Sequence, residues 1–162
     1  MQAADIEIAE TRPDEADAIL KITADVGVFS ADEVETVREL LAGYYNSPEQ
    51  SGYYFLSYRE ADQLLGYLCW GPRALSEGGY DLYWICVSKA AHGQGVGSAL
   101  MKQLEQEVLK RSGRWIIIET SSTEHYASAR RLYERSGYQK SMVLTDFYHA
   151  GDDLVVYTRR LR

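Results

Sequence analysis

The spacing of apolar residues changes along the chain, and each spacing predicts an element. Ile6 and Ile8 alternate with polar residues, which predicts a short opening strand. Arg12-Pro13-Asp14-Glu15 then suits the first turn of a helix that carries Ala16, Ile19 and Leu20 on one side. Ser30 with Glu33 three residues later forms a capping box, and Val34, Val37, Leu40, Leu41 and Tyr44 predict a second helix ending near Gly43. The connection through Asn46-Ser47-Pro48 and Ser51-Gly52 is turn-rich.

Residues 53–58 and 64–70 are β-rich runs separated by a polar loop at 59–63, the pattern of an antiparallel hairpin that Gly71-Pro72 stops. Residues 80–87, a run rich in aromatic and branched side chains, predict a central strand covered on both faces. Val96, Ala99, Leu100, Met101, Leu104, Val108 and Leu109 then form the apolar stripe of a long helix that Ser112-Gly113 ends. A buried strand follows at 115–118, and strand, crossover helix and strand imply a parallel pair. Residues 124–136 predict a last helix with Tyr126, Ala129, Leu132 and Tyr133 on one side and Gly137 as its stop; 140–148 and 154–160 predict a second hairpin. The expected class is α/β: a mostly antiparallel mixed sheet with a central parallel strand pair, flanked by helices, in a single domain over residues 1–162.

Composition narrows the function classes. A chain of 162 residues, 46% of them hydrophobic, suits one core that buries about two-thirds of the unfolded surface. No apolar run reaches bilayer length, and Met1-Gln2-Ala3-Ala4-Asp5 lacks the charged-then-apolar plan of a signal peptide, so a cytoplasmic location is expected. The formal net charge of −7 repels phosphate backbones and acidic membranes, which argues against nucleic acid and membrane partners and leans toward a cationic substrate. Cys69 and Cys86 lie inside strand-like runs with no Cys or His at ligand spacing, so buried thiols are expected and no metal; a disulfide is the minor alternative.

Candidate chemistry concentrates in His92-Gly93-Gln94-Gly95-Val96-Gly97, where a strand runs into a helix. Glycines in alternate positions free backbone N–H groups to converge on an anion at the positive end of the helix dipole. They serve tight packing equally well. The loop lacks the Gly-Lys-Ser/Thr ending of a P-loop, and its spacing fails the dinucleotide pattern Gly-x-Gly-x-x-Gly.

The strand around Ile85-Cys86-Val87, this loop and the segment Ala129-Arg130-Arg131-Leu132-Tyr133-Glu134-Arg135-Ser136-Gly137-Tyr138 together resemble the GNAT-type N-acetyltransferases over nearly the whole chain. The family's loop, Arg or Gln, two residues, Gly, one residue, Gly or Ala, is matched at Gly95 and Gly97, whereas His92 replaces its first residue. Its Leu or Phe, Tyr, three residues, Gly, Phe or Tyr element is met by Leu132, Tyr133, Gly137 and Tyr138, with Tyr126 where an upstream Asn is frequent.

The resemblance implies that backbone N–H groups of Gly93, Gln94, Gly95, Val96, Gly97 and Ser98 hold the pyrophosphate of acetyl-CoA, and that Ile85 and Val87 pair with its pantetheine arm. His92 is either an added phosphate donor or a solvated loop residue. Tyr133 becomes the acid facing the departing thiolate, where helical spacing alone would make it a core residue. A backbone N–H near Val87 is the expected donor to the thioester carbonyl. Glu119 is the first candidate base, with a structural strand end as its competing reading; Asp81, His125 and Asp146 rank below it. Phe29, Tyr44, Tyr45, Tyr83 and Tyr148 are candidates for the wall of an acceptor pocket.

The implied function is direct transfer of the acetyl group of acetyl-CoA to a primary amine of a small molecule or peptide in a ternary complex. The implied partners are acetyl-CoA and the amine acceptor, and the family admits a homodimer through its terminal strands. A non-catalytic module that binds or senses acyl-CoA is the alternative.

Overall fold

The computed structural model describes residues 5–162; Met1 to Ala4, which the leader reading above rests on, lie outside the described residues. β1 (Ile6–Glu10) leads through a 3-10 turn (Pro13–Glu15) into α1 (Ala16–Asp25) and α2 (Ala31–Asn46), and α3 (Pro48–Ser51) returns the chain to the sheet. The capping box at Ser30 is formed in both directions: Glu33 N–H donates to the Ser30 hydroxyl, and Ser30 N–H donates to the Glu33 carboxylate. α2 passes Gly43 by three residues because its N–H and C=O ladder continues until Ser47, whose N–H donates to Gly43 O.

β2 (Tyr54–Glu60), β3 (Gln63–Pro72) and β4 (Gly79–Val87) form an antiparallel meander. The expected polar loop between the first two shrinks to Ala61-Asp62, both with positive φ, as a two-residue hairpin turn of the primed kind requires. α4 (Val96–Lys110) crosses to β5 (Trp115–Ser121), which pairs in parallel with β4. α5 (Ala127–Arg135) follows a 3-10 turn (Glu124–Tyr126), and β6 (Gln139–His149) and β7 (Asp152–Arg160) close the chain. The seven-stranded order is β1-β2-β3-β4-β5-β7-β6, with β4 and β5 the parallel pair.

Period-2 alternation divides the core between the two faces of the sheet. Leu56, Leu68, Trp70, Leu82, Ile116 and Ile118 pack with Leu100, Leu104 and Val108 of α4 and Tyr133 of α5. Phe55, Tyr67, Cys69 and Cys86 pack on the opposite face with Ile19 of α1 and Val37 and Leu41 of α2. Gly66 lets α4 lie close, since a Cβ there would meet Val96 Cγ1 at 3.0 Å. Both cysteines are free and buried.

The sheet forks at its centre. β4 and β5 pair only from Gly79↔Trp115 to Leu82↔Ile118, and beyond this point they part. Each remains held by its outer neighbour, β4 by β3 as far as Gly66↔Val87, and β5 by β7 as far as Ser121↔Leu154. The β3–β4 register jumps from Cys69↔Trp84 to Trp70↔Leu82, leaving Tyr83 as an extra residue in β4. A bulge bends its strand, and this one sits where β4 leaves β5.

Candidate active site

The extra residue Tyr83 reverses which residues face which helix. Leu82 faces α4, as do Ile85 and Val87 after the bulge, whereas Trp84 and Cys86 turn to α1 and α2. Backbone groups alternate as well. Ser88 N–H donates to Leu65 O on β3, so Cys86 and Trp84 also direct their peptide groups toward β3. Ile85 and Val87 therefore turn theirs into the fork, where no strand meets them.

A cleft of about 880 Å³ fills the fork. Its walls are the parted ends of β4 and β5, the loop before α4, α5, and Val26, Val28 and Phe29 between α1 and α2. Aromatic contacts join these elements: the Phe29 ring lies 4.7 Å from Trp84 and 6.3 Å from Tyr126, and the Tyr126 hydroxyl donates to Glu33 Oε1 at 2.9 Å.

In the loop, Gly93 and Gly95 have φ of +76° and +81°, in the left-handed region, with open space where a Cβ would stand. Gly97 differs: a Cβ there would approach Leu132 Cδ2 to 3.0 Å, so its role is close packing of α4 on α5. The packing reading of the glycine pattern thus applies to Gly97, while Gly93 and Gly95 serve the left-handed turn. The N–H of Gln94 donates within the loop to Ala91 O, and its side chain to Ala90 O. The N–H groups of Gly93, Gly95, Val96, Gly97 and Ser98 have no acceptor among the described residues, so they are free donors at the positive end of the α4 dipole, an arrangement that can take an anion. Val96 itself is buried beneath the loop. His92 Nε2 lies 2.8 Å from Val87 O, which joins the loop to the end of β4.

Tyr133 is 5% exposed and lines the cleft, with its ring 5.7 Å from that of Tyr157. Its hydroxyl has no hydrogen-bond partner among the described residues. Burial, with Tyr157 adding to it, holds the Tyr133 phenol above its usual range, so it keeps its proton. Cys86 also lines the cleft, but burial pushes its thiol up to about 12, which leaves no thiolate near neutrality.

Glu119 is the first residue of β5 beyond the fork, and its side chain is 49% exposed. Its neighbour is Arg73, whose Nη2 is 3.5 Å from Glu119 Oε1 while Nη1 donates to Asp81 Oδ1 at 2.6 Å. Asp81 is more enclosed; burial raises its pKa and the Arg73 pairing opposes the rise. His125 lines the cleft, and Asp146 does not, its carboxylate accepting from Gly151 N–H in the terminal hairpin. Phe29, Tyr83 and Tyr148 share the cleft. Tyr44 and Tyr45 lie elsewhere, donating to the carbonyls of Thr11 and Arg12. Sequence reading missed Arg73, Trp84, Tyr126 and Asp152; only Tyr126, at a position where the family often has Asn, carried a local signal.

The profile described as an acetyltransferase (GNAT) domain matches residues 25–160. A curated relative, an uncharacterised N-acetyltransferase of Methanocaldococcus jannaschii, is 28% identical over 103 residues, which is 63% of this chain and 60% of that protein. The chain thus spans less than two-thirds of that relative's length. A crystal structure from Desulfovibrio desulfuricans, described as GNAT-family, is 33% identical and superposes with a TM-score of 0.93 over 98% of this chain and 100% of that one. An aminoglycoside 6′-N-acetyltransferase complexed with coenzyme A shares the fold at 18% identity, with a TM-score of 0.76 over 96% and 97% of the two chains. The chain belongs to the GNAT acetyltransferase family.

Proposed function

We propose that the protein transfers the acetyl group of acetyl-CoA to a primary amine by direct attack in a ternary complex. One observation carries the reading: the Ile85 peptide groups and the Val87 N–H that no strand meets, the free N–H groups of Gly93 and of Gly95 to Ser98, and the Tyr133 hydroxyl all border one cleft. The first suits the amides of a pantetheine arm, the second a pyrophosphate, and the third a thioester sulfur.

In this reaction Glu119, directly or through water, takes one proton from the ammonium, and the freed lone pair forms the C–N bond on the thioester carbonyl. The Val87 N–H supports the oxygen that becomes negative. As the C–S bond breaks, Tyr133 gives its proton to sulfur and is reprotonated from the new amide nitrogen. The suppressed thiol of Cys86 supports transfer without an acyl-enzyme.

Calorimetry with acetyl-CoA, followed by thiol release across a panel of primary amines, tests the reading. Binding with acetylated product supports it; binding without thiol release from any amine identifies a cofactor-binding module instead. Tyr133→Phe is expected to lower kcat about 100-fold while coenzyme A affinity holds, and unchanged turnover across pH removes Tyr133 from the acid role.

A further inference from the structure

A side cavity of about 510 Å³ opens off the cleft, with Tyr83, Glu119 and Tyr148 common to both. Arg73, the residue directly after β3, extends across the base of the fork and contacts a carboxylate on each parting strand. The contacts are unequal. Nη1 to Asp81 is short at 2.6 Å, and the Asp81 side chain is only 13% exposed. Nη2 to Glu119 is 3.5 Å, at the outer limit of a hydrogen bond, and both side chains keep over two-fifths of their exposure. The Arg73 Nε has no acceptor among the described residues. The cavity therefore presents a loosely joined cation and anion, each with spare hydrogen-bonding capacity.

We propose that this cavity receives a free α-amino acid as the acetyl acceptor, with its carboxylate on the outer edge of Arg73 and its amino group on Glu119. The inference rests on the acetyltransferase reading and names its substrate class. An α-amino acid carries an anion and a cation one carbon apart, the inverse of the Arg73 and Glu119 pair. Its insertion replaces one long contact by two charge-assisted ones, and a guanidinium edge matches a carboxylate bidentately.

Charge balance distinguishes the alternatives. Asp81 already compensates Arg73, so the cavity walls carry one net negative charge from Glu119. A zwitterion enters without adding charge, and a proton passed to Glu119 neutralises that wall as the amine becomes nucleophilic. An amine lacking the carboxylate leaves the outer N–H groups of Arg73 without an acceptor, whereas an acceptor with further carboxylates meets Asp81 and Glu119. The rings of Tyr83 and Tyr148, each 40% exposed, offer apolar surface to the α-carbon and side chain. Because Glu119 and Tyr148 belong to both spaces, an amine held there lies at the opening to the cleft.

The test measures thiol release with the twenty standard L-amino acids, each compared with its α-amide. The expected result is one acid, or a small group, preferred over the matching amide by roughly 10- to 100-fold in kcat/KM. In Arg73→Gln that acid-to-amide ratio is expected to fall to near one, and Arg73→Lys to keep part of it; coenzyme A binding checks that each variant is folded. Equal use of acid and amide by the wild type overturns the proposal without any variant, as does a ratio that Arg73→Gln leaves intact. Acetylation of other primary amines but of no amino acid overturns the substrate class and leaves the transferase reading standing. Thiol release from no amine at all overturns both.

Discussion

A carbonyl oxygen only accepts, so the 2.8 Å contact between His92 Nε2 and Val87 O places the proton on Nε2. The side chain that replaces the family's Arg or Gln is thus occupied in tying the loop to the strand end, and only Nδ1 remains for another partner. The contact also uses the one acceptor of Val87, leaving its N–H and the peptide groups of Ile85 to face the cleft. His92→Ala is expected to weaken acetyl-CoA binding about 5-fold with little change in kcat, the effect of one net hydrogen bond. A loss beyond about 100-fold in calorimetry gives His92 a direct charge contact with phosphate in place of this structural one. Tyr133 shows the limit of reading single residues: a tyrosine at helical spacing packs a core, and this one is buried as a core residue is, yet its hydroxyl borders the cleft.

Among the elements, β2 and the 3-10 turn that precedes α1 are joined by an ion pair placed nearly out of water. Arg59 of β2 is 1% exposed; it donates to both carboxylate oxygens of Glu15, to Glu10 O and to Glu7. Burial alone would raise the Glu15 pKa, but hydrogen bonds from Arg59 and the Arg12 N–H outweigh it, and the carboxyl is held below its usual 4.5. The sign follows: stability from this pair is complete above the unfolded value and is lost as pH falls through the lowered folded value. Glu15→Gln is expected to cost about 3 kcal/mol at neutral pH, because it leaves a buried guanidinium with only the longer contact to Glu7 as ionic partner, and to lose less on acidification than the wild type. Urea midpoints at neutral and acid pH measure both. Burial raises the pKa of Asp81 and of Glu105, so these two gain on acidification and the difference between wild type and variant isolates Glu15.

Element type and order were legible because alternation and helical spacing are local: the Ser30 and Glu33 cap, the α4 stripe and both hairpins follow from neighbours in sequence. The bulge at Tyr83 was not. From Leu82 to Val87 every residue is apolar or aromatic, which gives no alternation to reveal a change of parity, and it is the bulge that turns Ile85 and Val87 to the side of α4. Nor does sequence show that Gly71 lies against Gly52, where a Cβ would overlap the Gly52 carbonyl.

At the scale of the whole molecule, the loop and the Tyr133 segment were readable as units, whereas of the side cavity Glu119, Tyr83 and Tyr148 were named singly and Arg73 was not. The loop and the Tyr133 segment are continuous stretches with their own patterns. The side cavity is assembled from single residues on separate elements: Arg73 beyond β3, Glu119 on β5, Tyr148 on β6. Glu33 and Tyr126, which span the cleft, are 93 positions apart. Only the closed topology brings them together.

The fork also changes how the middle of the sheet behaves in time. Central strands are as a rule the last part of a protein to exchange amide hydrogen with solvent, since release requires global opening. Here the amides of Ile85 and Val87 point into the cleft, while those of Leu82 and Cys86 lie within paired stretches. Hydrogen exchange is expected to be fast at Ile85 and Val87, slow at Leu82 and Cys86, and slowed at the first two by coenzyme A; protection at Ile85 and Val87 without it would contradict the open edge. Amides that exchange as freely as those of an edge strand should then lie at the centre of the sheet.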